Sequence, residues 1–166
     1  MSARPAISPA SESDIPLILR FIQDLADYER LRHECVATED KLRETLFGDS
    51  PAAEVLIARL DGEAVGFALF FYSYSTFLAQ RGIYLEDLFV NPGVRGKGIG
   101  KALLATVARL AIDRGCGRLD WAVLDWNEPS IGFYRSIGAE ALDDWTTFRM
   151  TGDTLVALAA ASEPQL

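Results

Sequence analysis

The stretch that most constrains this chain runs from Ile83 to Lys101, I-Y-L-E-D-L-F-V-N-P-G-V-R-G-K-G-I-G-K. Ile83, Tyr84, Leu85, Leu88, Phe89 and Val90 suit a buried, pleated ribbon, so it opens as a strand. Asn91, Pro92 and Gly93 stop that strand. Helical apolar spacing starts at Ile99 and continues through Leu103, Leu104, Val107, Leu110 and Ala111. The turn between them holds Arg95, Gly96, Lys97, Gly98 and Gly100. At the head of the helix, backbone N–H groups are left without helical partners and are backed by the positive end of the helix dipole. Glycine at alternate positions lets an anion come close to those groups, and Arg95, Lys97 and Lys101 add charge. A pyrophosphate is the expected occupant.

Spacing narrows the choice. The run G-x-x-x-x-G-K-[ST] of nucleotide hydrolases occurs nowhere, and the alternation of Gly96, Gly98 and Gly100 does not give the dinucleotide pattern G-x-G-x-x-G. Arg95, Gly98 and Gly100 do form R-x-x-G-x-G. Taken alone, this motif also fits a glycine-rich connection with no ligand.

A chain of 166 residues, 49% hydrophobic and 24% charged, is expected to form one globular domain, residues 1–166, with a real core. A formal charge of -8 argues against a nucleic-acid surface and is compatible with a cationic substrate or with simple solubility. Cys35 and Cys116 lack metal-like spacing and read as reduced thiols, and with His33 the only histidine neither a histidine triad nor a metal site is expected. No basic-then-apolar leader opens the chain, and its apolar runs are too short to span a bilayer. The expectation is a cytoplasmic protein that binds neither nucleic acid nor membrane.

In order, the sequence predicts a strand near residues 4–8, then a helix that starts at Ser11–Asp14 and carries Ile15, Ile18, Leu19, Ile22 and Leu25 to about Glu29. Thr38 caps a second helix through Leu42 and Leu46, closed by Gly48. The charged connection 30–37 reads as a solvated loop. Strands over 54–60 and 63–74 are joined at Asp61-Gly62, a hairpin signal. Residues 73–82 read as a loop whose Tyr74, Phe77 and Leu78 dock on a neighbour or line a pocket. After the glycine turn and its helix, residues 118–124 form a strand parallel to 83–90. Asn127 caps a helix holding Pro129 that ends at Gly138. Residues 139–141 and 145–150 are expected as a last pair of strands around Asp143-Asp144, and 155–161 as a short helix.

This order, β-α-α-β-β-β-α-β-α-β-β, together with Y-L-E-D-L-F-V, R-G-K-G-I-G and W-N-E-P-S-I-x-F-Y, resembles the GNAT acetyltransferase superfamily. Within it the motifs are closest to the diamine (spermidine/spermine) N-acetyltransferase group. The resemblance implies an α/β fold: a single domain with a mixed, mostly antiparallel sheet, a splayed parallel strand pair at its centre and helices on its flanks. It implies acetyl-coenzyme A as co-substrate, a small cationic amine as acceptor, and a homodimer. Residue by residue, it implies cofactor contacts at Leu88, Phe89, Val90, Arg95, Gly96, Lys97, Gly98, Ile99, Gly100, Lys101, Asn127 and Ser130. Substrate contacts are implied at Tyr28, Glu29, Glu86, Asp120, Trp121 and Ala122, and catalytic roles at Glu86 and Tyr134. The short link Asp143-Asp144 and Phe77 depart from the polyamine enzymes on the substrate side, which leaves a polyamine, a lysine-like amino acid or its thioether analogue, or another small amine open as the nucleophile.

The chemistry asks for these residue types on its own terms. A primary amine with a pKa near about 10.4 must lose a proton before it attacks, which costs about 4–5 kcal/mol at neutral pH. A carboxylate, directly or through water, can take that proton. Glu86 and Asp87 are neighbours on the central strand, where strict alternation sends them to opposite faces, and the resemblance favours Glu86. The departing thiolate, with a thiol pKa of about 8.5, can take a proton or a hydrogen bond from a tyrosine at about 10. Tyr134 fits that role or that of a core tyrosine between Ile131 and Ile137, and Asn127 fits either a helix cap or a contact to the pantetheine arm. Trp121 and Trp126 read as core or pocket-wall aromatics. Two other functions remain: acetylation of a protein or peptide, and a non-catalytic acyl-coenzyme A-binding module. The presence of both Glu86 and Tyr134 argues against the module.

Overall fold

In a computed structural model of the chain, which describes residues 4–162, the protein is an α/β fold built on a mixed five-stranded sheet. The described residues fall into two compact units that divide after Leu124. Among the described residues no helix is long and apolar enough to cross a membrane.

The first unit contains the sheet. Its strands are β1 (Ala6–Pro9), β2 (Glu54–Leu60), β3 (Glu63–Ser75), β4 (Gln80–Val90) and β5 (Leu119–Trp121), in that spatial order. All neighbours are antiparallel except β4 and β5, the expected parallel pair. The helices are α1 (Ile15–Tyr28), α2 (Glu39–Phe47) and α3 (Ile99–Asp113). Ile15, Ile18 and Phe21 recur on one side of α1, as the sequence spacing requires, and are completely buried. They meet Leu42 and Leu46 of α2 and Val55, Ile57, Phe67 and Phe89 of the sheet in one cluster. Phe21 stacks on Phe67 at 5.4 Å between ring centroids and leans on Phe89 at 6.2 Å. Deleting such a ring costs about 3–5 kcal/mol. The alternate residues Leu56, Ala58, Ala68 and Phe70 are also buried, and α3 packs on the sheet through Ile99, Leu103, Leu104 and Val107. Both faces of the central strands are therefore covered, which is why β2 and β3 read as nearly continuous apolar runs.

Local signals hold at most element ends. The amide of Ser11 donates to Asp14 at 2.9 Å, and Asp14 also accepts from Arg59 of β2 at 2.8 Å, which ties the start of α1 to the sheet. The Thr38 hydroxyl accepts from the Lys41 amide. Asp61 and Gly62 both take positive φ, as a tight hairpin turn demands.

Several expectations are corrected. The loop expected over 73–82 is mostly strand: β3 runs to Ser75 and β4 starts at Gln80, leaving only residues 76–79 as the turn. Phe77 at its tip is 98% exposed. The connection 30–37 holds a short 3-10 turn, Arg32–Glu34, with Arg32 on Asp27 at 2.9 Å. The strand expected over 118–124 is confined to β5, Leu119–Trp121.

In the second unit, Asn127 caps α4 (Glu128–Ser136), and α5 (Gly152–Ala159) begins three residues earlier than expected, after Thr151. The two strands expected at 139–141 and 145–150 do not form. Asp143-Asp144 offers no glycine or asparagine for the left-handed residues of a tight hairpin, and a two-stranded pair of this length is marginal alone.

Candidate active site

The turn after β4 has the geometry that its glycines foreshadow. Gly96 and Gly98 adopt φ of 79° and 78°, which side chains rarely tolerate, and a Cβ on either would have no heavy atom within 4 Å. Gly98 is the N-cap of α3, whose first helical hydrogen bond runs from the Ala102 amide to the Gly98 carbonyl at 2.9 Å. The amides of Ile99, Gly100 and Lys101 precede that bond, at the positive end of a 15-residue helix. The space beside Gly96 and Gly98 is open, and the neighbouring Lys97 and Lys101 are exposed. Donors, charge and room all fit the diphosphate of a coenzyme.

Arg95 takes a more specific position than a free surface cation. Its Nε donates to the Val90 carbonyl at 2.9 Å, and its guanidinium lies 4.7 Å from the centre of the Tyr28 ring and 5.5 Å from that of Phe89. The glycine turn is thereby joined to the end of α1.

The end of β4 is open on one side. The parallel pairing with β5 covers three registers, Ile83↔Leu119, Tyr84↔Asp120 and Leu85↔Trp121, and then stops. On the other side β4 stays paired with β3, Leu88↔Ala68, Phe89↔Phe67 and Val90↔Gly66. Among the described residues no strand pairs with Leu88, Phe89 and Val90 on the β5 side, as a splayed pair requires. An amide-bearing arm can add to such an edge as a pseudo-strand.

A β-bulge lies where the pairing with β5 stops. The β3–β4 register passes from Leu69↔Asp87 to Phe70↔Leu85, so Glu86 is the extra residue. Strict alternation, which was to separate Glu86 from Asp87, does not hold across it. Both interact instead with Glu29, the residue that follows α1. Burial, and then the charge of Glu86, raise the Glu29 carboxyl above its usual range. Asp87 is half-buried; burial first, then Glu86, then Glu29 push its carboxyl up to about 7. The Tyr84 phenol is likewise raised, by burial, Glu86 and Asp120. Glu86 itself is exposed.

Beside these carboxyls lies a cleft of about 300 Å³, lined by Ile22, Leu25, Ala26, Glu29, Leu31, Glu34, Cys35, Val36, Ala37 and Asp87. Half of this lining comes from the connection expected to be a solvated loop. Leu31 and Val36, apolar in a charged stretch, were the available signal.

Of the residues implied by resemblance, Tyr28, Glu29, Glu86, Leu88, Phe89, Val90, Arg95, Gly96, Lys97, Gly98, Ile99, Gly100 and Lys101 fall on α1's end, β4 and the turn that follows it in the first unit. Asp120, Trp121 and Ala122 are in the same unit. Asp120 is engaged by Arg118 at 2.8 Å, Trp121 ends β5 opposite Leu85, and Ala122 lies just past the pairing. Asn127, Ser130 and Tyr134 belong to the second unit. There Asn127 is buried at 7% exposure and its Oδ1 accepts from the Ser130 amide at 3.4 Å, so the capping role holds. Tyr134 is half-buried on α4, its ring 5.5 Å from that of Phe133.

Known proteins agree with this reading of the fold. Residues 20–139 match the acetyltransferase (GNAT) family. Thialysine N-epsilon-acetyltransferase of Bos taurus is 40% identical over 164 residues, covering 92% of this chain and 96% of that protein. L-ornithine N5-acetyltransferase NATA1 of Arabidopsis thaliana is 34% identical over 194 residues, covering 90% of this chain and 85% of its own. Among solved structures, an integron cassette protein from the mobile metagenome of V. cholerae superposes with a TM-score of 0.80 at 28% identity, over 97% of this chain and 99% of the other. On the family match and the length and identity of these alignments, the chain belongs to the acetyltransferase (GNAT) family and is an N-acetyltransferase.

Proposed function

We propose that the protein transfers the acetyl group of acetyl-coenzyme A to the terminal primary amine of a small cationic acceptor, a lysine- or ornithine-like amino acid or a polyamine. The observation that carries the reading is electrostatic. Glu29 and Asp87 line the cleft, and burial together with the negative charge of Glu86 raises both of their carboxyls. An ammonium ion placed among them relieves that repulsion, so the site favours a cation. The amines acted on by the bovine and plant relatives named above are of this kind.

When bound, acetyl-coenzyme A supplies the thioester carbon that the amine attacks. In this reading the amides of 96–101 and the charges of Lys97 and Lys101 hold its diphosphate, and Leu88–Val90 hold its pantetheine arm; the family resemblance adds Asn127 and Ser130 as cofactor contacts. Tyr28, Glu29, Asp120, Trp121 and Ala122 hold the acceptor. Glu86 takes the ammonium proton, directly or through water, and the nitrogen lone pair so freed then forms the new C–N bond. Tyr134 gives a hydrogen bond or a proton to the sulfur as the C–S bond breaks, and general acid–base help of this kind is worth about 10²–10⁴-fold each. The family resemblance carries with it a cytoplasmic homodimer, and light scattering in solution tests the dimer.

A thiol-release assay against thialysine, lysine, ornithine, spermidine and lysine peptides tests the proposal. Turnover on the free amines well above that on peptides is expected. Preference for peptides, or coenzyme binding with turnover on none of these acceptors, would overturn it in favour of a protein acetyltransferase or a non-catalytic acyl-coenzyme A module respectively.

A further inference from the structure

The contacts of Arg95 are not those of a residue that serves the diphosphate alone. A guanidinium is planar and has two separate means of contact: its faces stack on aromatic rings, and its edges donate hydrogen bonds in the plane. At Arg95 one edge is engaged by the Val90 carbonyl through Nε at 2.9 Å. One face lies over the Tyr28 ring at 4.7 Å, with Phe89 at 5.5 Å. Stacking leaves the outer edge of the fork compatible with an anion at the adjoining Gly96–Gly98 turn. Neither Lys97 nor Lys101 has a chemistry that can stack and donate sideways in this manner. Tyr28 is the last residue of α1, next to Glu29, which lines the cleft together with Asp87.

We propose that Arg95 is a positioning residue that couples the two halves of the site, so that an occupied diphosphate turn fixes Tyr28 and strengthens binding of the amine. This inference rests on the acceptor and cofactor assignments made above. A diphosphate bound at the turn restrains the guanidinium, the guanidinium restrains the ring it covers, and the ring sets the end of α1 where Glu29 begins the amine side. By linkage the effect is reciprocal: the amine strengthens coenzyme binding by the same factor. An exposed cation–π contact supports a coupling of roughly two- to fivefold.

The test is the ratio of amine dissociation constants with and without saturating coenzyme A, measured by calorimetry on the full chain, with ornithine or thialysine as the amine. The parent protein should bind the amine about two- to fivefold more tightly when coenzyme A is present. Arg95→Lys keeps the charge and loses the plane, so its ratio should fall to one even at coenzyme concentrations that saturate the variant. Tyr28→Leu should also bring the ratio to one, and Tyr28→Phe, which keeps the ring face, should restore the parent value. An unchanged ratio in Arg95→Lys, or equal loss in Tyr28→Phe and Tyr28→Leu, would overturn the coupling. So would a ratio of one in the parent. Turnover of the parent on small amines is measured alongside: its absence strikes the functional proposal, whereas turnover with no coupling strikes this inference alone.

Discussion

Asp87 gives the sharpest prediction because it places a cost in the folded state that depends on pH. Its carboxyl is pushed to about 7 in the folded chain against an ordinary value of 3.8, by burial and by the charges of Glu86 and Glu29. Between those two values the folded chain holds a proton that the unfolded chain has lost. Stability must therefore fall as pH rises through this window, and the contribution is complete once the pH passes about 7. At 1.36 kcal/mol per pH unit, the span from 3.8 to about 7 is worth roughly 4 kcal/mol, a large share of a typical domain's 5–15 kcal/mol. Asp87→Asn keeps the shape and cannot ionise. It should match the parent near pH 4 and exceed it by up to about 4 kcal/mol at pH 8. Urea unfolding of both proteins at each pH from 4 to 8 reads the difference directly. Glu86→Gln removes the second cause but not the first, so the Asp87 window should move down and stay above 3.8. A parent-minus-variant difference that is flat across this range would refute the reasoning, since a change in packing alone carries no pH dependence.

Two further outcomes follow from the same geometry. Tyr134→Phe should lower kcat by about 10²-fold while coenzyme affinity stays within about twofold; steady-state kinetics and calorimetry check this, and an unchanged kcat would dismiss the hydroxyl from the chemistry. Gly98→Ala and Gly100→Ala should act with opposite signs on stability. The first forces a side chain into φ of 78° and should cost about 1–2 kcal/mol. At Gly100 a Cβ would stand an ordinary 3.7 Å from Val90, so the alanine should be neutral or should stabilise the first turn of α3 by up to about 1 kcal/mol. Urea unfolding distinguishes them, and equal loss from both would show that the turn is not held by the conformation of Gly98.

What could be read before folding, and what could not, divides along the range of the interactions. The Gly96–Gly98 turn was legible because its causes are local: glycines supply the positive φ and the helix that follows supplies the bare amides. The caps at Thr38 and Asn127 were legible for the same reason. The ends of β5 and the missing strands after Ala139 were not, because a strand exists only where a partner offers its edge. The site itself turns on the same distinction. Glu86 and Asp87 are adjacent letters that alternation assigns to opposite faces, and nothing in L-E-D-L marks an insertion. The extra residue becomes visible only when β4 is laid against β3 and the register jumps from Asp87 to Leu85. The jump falls where the pairing with β5 stops, so Leu88–Val90 follow it as an open edge, and the charges of Glu86 and Glu29 both add to the burial that raises the Asp87 carboxyl. An edge able to take an amide-bearing arm and a group of crowded carboxyls thus meet at one place on β4, the residue that the β3 register leaves unpaired.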